Sequence, residues 1–77
     1  MKPDDLLQAR MLDAHKRADL PALPALYLEA ARIREQCGDV DAACFFFTHA
    51  YVYALDAGDE SAARLALGKL QVFGRDS

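Results

Sequence analysis

The side chains whose chemistry could reach beyond packing are His49, Asp56, Thr48, His15, Cys37 and Cys44. His49 and Asp56 share one side of a helical segment, near Thr48, as a general base oriented by a carboxylate would require. Their spacing of seven residues is two helical turns, about 10.5 Å along the axis, too far for a direct hydrogen bond. His49 is therefore read as a polar surface residue. The two Cys and two His could be imagined around a zinc ion, but no Cys-x₂-Cys or His-x₃-His pair is present. Both Cys fall on inward helix faces, where a free thiol behaves as a small hydrophobe. There is no glycine-rich phosphate loop, and the only Ser, Ser61 and Ser77, sit in no nucleophile elbow. The expectation is a non-enzymatic chain with no catalytic residue, no metal and no cofactor.

The elements that would carry these residues are helices. The chain has 77 residues, 53 % of them hydrophobic and 27 % charged, as in one small globular domain. At this size only about 60–65 % of the unfolded chain's surface can be buried, so a partner chain would help stability. Net charge is −3, and no basic run exceeds Lys16-Arg17. Nucleic-acid binding is not expected, because phosphate neutralisation needs a positive stripe. No apolar run approaches the ~20 residues of a membrane span, and the acidic start Met1-Lys2-Pro3-Asp4-Asp5 lacks a signal-peptide core. A cytoplasmic protein with reduced thiols is expected.

Pro3–Ala18 reads as a first helix, with Asp4 and Asp5 in its first turn, Lys16 and Arg17 in its last, and Leu7, Met11, Ala14 and Ala18 inward. A second runs from Ala22 or Pro24 to Cys37, with Leu23, Leu26, Tyr27, Ala30, Ile33 and Cys37 inward and Leu28, Glu29, Arg32, Glu35 and Gln36 outward. The third occupies Asp39–Ala57 and holds three of the four Phe and two of the three Tyr. It is apolar over most of its circumference, which marks a helix buried between neighbours or covered by a partner. Val40, Ala43, Cys44, Phe47, Ala50, Tyr51, Ala54 and Leu55 share its broad apolar face. Phe45, Phe46, Val52 and Tyr53 fall outside that face. A fourth helix runs from Gly58-Asp59 to about Phe73, with Ala63, Ala66, Leu67, Leu70 and Phe73 inward. Gly38 and Gly58 suit the left-handed residue that ends a helix, and Asp39 can cap the next one.

Ala18-Asp19, Gly38-Asp39 and Gly58-Asp59 recur every 20 residues. Helices of similar length joined by tight turns favour antiparallel neighbours. Over Pro24–Ala57, a span of 34 residues, the chain resembles a tetratricopeptide repeat. Tyr27 stands at the family's bulky aromatic position, Ala30 and Ala31 at its Leu and small positions. Gly38-Asp39 stands at the turn, and Ala43, Phe47 and Ala50 at the small and aromatic positions of the second helix. The resemblance implies an all-α fold of four helices in two antiparallel hairpins, either a right-handed tetratricopeptide-like stack or a compact four-helix bundle. It also implies a groove for peptides on the first helix, at Ala25, Leu28, Arg32, Glu35 and Gln36. The family's Lys and Asn clamp for a C-terminal carboxylate is absent.

The function expected is a non-catalytic protein–protein interaction module, binding a protein or peptide partner through Leu28, Arg32, Glu35 and Gln36. Aromatics on an otherwise polar side mark interfaces. Phe45, Phe46, His49, Val52 and Tyr53 are therefore expected to mediate self-association as a homodimer. The alternative is a purely structural homo-oligomer with no other ligand.

Overall fold

The computed structural model describes residues 3–75. It is all-α: α1 (Pro3–Lys16), a 3₁₀ turn (Leu20–Ala22), α2 (Leu23–Gln36), α3 (Val40–Ala57) and α4 (Glu60–Val72). Two prolines are used at a helix start. Pro21 opens the 3₁₀ turn and Pro24 lies in the first turn of α2, where a missing N–H costs nothing.

The four α-helices end alike. Gly38 N–H reaches the Glu35 carbonyl at 3.0 Å and Asp39 N–H reaches the Arg34 carbonyl at 3.0 Å. The same pair of bonds recurs at Ala18-Asp19, Gly58-Asp59 and Gly74-Arg75. Each is a Schellman turn, which needs a left-handed residue. Gly38, Gly58 and Gly74 supply it at φ of +80°, +71° and +71°, whereas Ala18 is forced to +50°. The 20-residue period is thus the spacing of the first three of these turns, at Ala18, Gly38 and Gly58. Asp39 and Asp59 then cap the next helix, Asp39 accepting from Ala42 N–H and Asp59 from Ala62 N–H, both at 3.1 Å. At Asp19 the backbone carbonyl takes the bond from Ala22 N–H instead, and the carboxylate caps nothing.

Two apolar clusters result. The larger joins α2, α3 and α4 through Leu28, Ala31, Ala43, Cys44, Ala50, Ala54, Ala62, Ala63, Ala66 and Leu70 around a fully buried Phe47. Its many alanines bring the helix backbones close. The smaller joins α1 to α2 through Leu7, Ala14, Leu23, Leu26 and Ala30. Helix α1 packs on α2 and the 3₁₀ turn, and α4 packs on α3 and α2. Among the described residues α1 and α4 do not meet, so the helices form an open stack and not a closed bundle. Its Cα extents are 33 × 30 × 15 Å, a slab. At the far end Lys69 Nζ meets both Glu35 carboxylate oxygens at 3.0 and 3.1 Å, and Arg75 meets Asp41 at 2.7 Å. Both ion pairs join residues 34 apart.

The structure corrects several expectations. Leu28, read as solvent-facing, is buried, because α4 folds back over that flank of α2 and needs Leu28 and Ala31 beneath it. Cys37, read as inward, is exposed, since the chain already turns away from the core there. Ala18 lies in an exposed turn beyond the end of α1. Leu55 is 57 % exposed because no helix follows α4 to cover it among the described residues.

Candidate interaction surface

Six rings from three helices form one connected network. On α3, Phe45 touches Phe46 at 5.5 Å and His49 at 4.3 Å between ring centroids. Tyr27 of α2 lies at the centre, 6.2 Å from Phe46, 5.0 Å from Tyr53, and stacked on His49 at 5.7 Å with 15° between planes. His15, in the last turn of α1, meets Tyr27 and Tyr53 edge-on at 6.0 and 5.6 Å. Aromatic rings prefer offset or edge-to-face contact, and the two His15 contacts and the Phe45–Phe46 contact are edge-on.

Three polar atoms of the network are tied down by hydrogen bonds. His15 Nε2 and the Tyr27 hydroxyl share a 3.0 Å hydrogen bond. His49 Nδ1–H donates to the Phe45 carbonyl at 2.8 Å, so its imidazole is oriented by its own helix and not by Asp56. Thr48 likewise donates to the Cys44 carbonyl at 2.9 Å. Burial raises the Tyr27 phenol above its ordinary value, and the neighbouring Tyr53 adds to the rise. Among the described residues no group of three or more His, Cys, Asp or Glu could hold a metal ion. No helix among them is long and apolar enough to cross a membrane.

Beside the network, α1 stands off the α2–α3 hairpin and leaves a cleft of about 300 Å³. Leu7, Met11, Ala30 and Phe46 form its apolar walls; Gln8, His15, Tyr27 and Arg34 bring polar atoms to it. Leu12, at its mouth, is 63 % exposed.

The structure brings the five residues expected to self-associate onto one side of α3 but divides them. Phe45 and Val52 are exposed at 58 % and 49 %. Phe46, His49 and Tyr53 are half-buried by α1 and α2 within the same chain. The residues expected to bind a partner are also divided. Arg32 and Gln36 are exposed and, with Ala25, Leu28 and Glu29, line a shallow depression of about 450 Å³. Glu35 is half-buried in its pair with Lys69.

Sequence reasoning did not bring His15 and Tyr27 to this surface, although a signal existed. His15 and Tyr27 lie six residues on either side of Pro21, and Tyr27 and His49 eleven on either side of Gly38. Antiparallel helices joined by a tight turn set residues equidistant from the turn level with one another. Comparison of the chain with protein-family models, curated proteins and solved structures finds no match.

Proposed function

We propose that the chain is a non-catalytic protein-interaction module whose ring-lined side, from Phe45 and Val52 to the α1 cleft, receives an apolar helical segment of a partner protein. The observation that carries this reading is the continuity of exposed Phe45 with the ring network and with the adjoining cleft. Exposed aromatics beside a preformed apolar groove are how amphipathic helices are held elsewhere. The pairing of Glu35 with Lys69 and of Asp41 with Arg75 supports a tetratricopeptide-like stack. A step of 34 residues is that repeat's period, and it sets α4 beside α2 as the next first helix.

Selecting amphipathic helical peptides against the chain from a display library tests the proposal. Selected peptides should lose at least about tenfold in affinity, about 1.4 kcal/mol, on Phe45→Glu. They should bind Arg32→Glu as they bind the native chain, and 0.5 M salt should weaken them little, since apolar contacts are unscreened. Failure to select any binder, or indifference to Phe45→Glu, sinks the reading.

The depression over Ala25, Leu28, Arg32 and Gln36 favours a second reading, in which the partner lies on the α2 face. Loss on Arg32→Glu together with marked salt sensitivity would select it. Expression inside the cytoplasm and the absence of a catalytic role belong to the same proposal.

A further inference from the structure

The opposite edge of the slab, where α3 and α4 run side by side, carries its own groove of about 470 Å³. Two stripes of matching helical spacing border it: Tyr51, Ala54 and Leu55 on α3, and Glu60, Ala63, Arg64 and Leu67 on α4. Positions i, i+3, i+4 and i+7 share one helix face, so each stripe is straight. Buried Ala54 and Ala63 make a shallow floor, while Leu55 stands exposed on one wall. Glu60 and Arg64 cap the other wall, their side chains 87 % and 84 % exposed and only 3.9 Å apart in a loose pair.

That charge pattern is its own complement. Laid antiparallel against a second α4 across a two-fold axis, Arg64 of each copy faces Glu60 of the other. The small floor residues let the two helices approach, and Leu55 and Leu67 gain cover. An isologous contact of this kind needs one self-complementary patch. We infer that the α3–α4 edge is a two-fold interface with a second copy of this chain, independent of the ring-lined side. A face roughly 10 Å long and one to two helices wide gives on the order of 200 Å² per copy. That is about a quarter of a standard interface, so the dimer is weak and exchanges with monomer as concentration changes.

Sedimentation equilibrium over a dilution series tests this. The native chain should move from 8.5 kDa toward twice that mass with rising concentration. Glu60→Arg and Arg64→Glu should each stay monomeric, because each makes the patch like-charged. An equimolar mixture of the two variants should dimerise again, and the double swap Glu60→Arg/Arg64→Glu should behave as the native chain does. Phe45→Glu should leave the association unchanged, which separates this interface from the proposed partner site. A native chain that stays monomeric throughout, a single variant that associates as well as the native chain, a mixture or double swap that stays monomeric, or loss of the dimer on Phe45→Glu each overturns the inference. Both charged positions are exposed, so a helical circular-dichroism spectrum identical to the native one is expected of every variant.

Discussion

Behind the α2–α3 turn lies Phe47, with no exposed surface and alanines on three helices closing around it. Behind the α1–α2 turn lie Leu7 and Ala14 against Leu23, Leu26 and Ala30, with Met11 half in water. The turns themselves are the same motif. The first nevertheless places an alanine where the others place glycine, and an aspartate that caps nothing where Asp39 and Asp59 cap the helix that follows. The difference teaches that repetition of a turn does not repeat its stability. One side of the molecule is tightly packed and the other is loose, and the rings and the cleft lie on the loose side. Sites that must admit a partner are drawn from the less stable parts of a fold.

Truncating each cluster at its largest member tests this contrast most severely. Phe47→Ala should cost about 3–5 kcal/mol, a large part of the about 5–15 kcal/mol available to a small domain, and should melt the whole chain in thermal denaturation. Leu7→Ala should cost about 2–3 kcal/mol at most, and its effect should be local. Hydrogen exchange should then quicken across α1 while α3 keeps most of its protection. Equal loss of protection in both helices would show one cooperative unit and break the comparison.

The turns offer a finer test. Gly58→Ala meets no atom within 4 Å, so its only cost is the left-handed backbone at +71°, about 1 kcal/mol. Ala18→Gly should raise stability by about the same amount, since Ala18 already bears that strain. Opposite shifts in urea midpoint are expected, and shifts of the same sign would refute the account.

The smallest effect is at high pH. The Tyr27 phenol is held above its ordinary value of 10.0, chiefly by burial. In the unfolded chain it ionises nearer that value. The folded state therefore loses stability as pH rises past 10 and through the folded value. Tyr27→Phe should flatten this decline in melting temperature by removing one ionisable group. A decline as steep as the native chain's would place the loss elsewhere.

The four helices and their turns were legible because they rest on local chemistry. Proline at helix starts, glycine at left-handed ends and aspartate at caps announce themselves within a few residues. Phe47, Ala43 and Ala50 were legible as core because one helix face carries them all. Leu28 and Leu55 were misread for a shared reason. Which flank of a helix is covered depends on where a helix distant in sequence returns: α4 returns over Leu28, and no helix among the described residues lies over Leu55. The ring network was half legible. Phe45, Phe46, His49 and Tyr53 were grouped from their positions on one helix, whereas His15 and Tyr27 join them only once the hairpins are closed.

The two thiols give the molecule a chemical clock. Cys37 sits at the exposed rim of the α2–α3 turn, and Cys44 lies seven residues on, inside the Phe47 cluster. A thiol reagent finds Cys37 at once but reaches Cys44 only when that hairpin parts. With Cys37 blocked, the rate at which Cys44 is modified reads the opening of the tight side directly, whatever α1 is doing at the time.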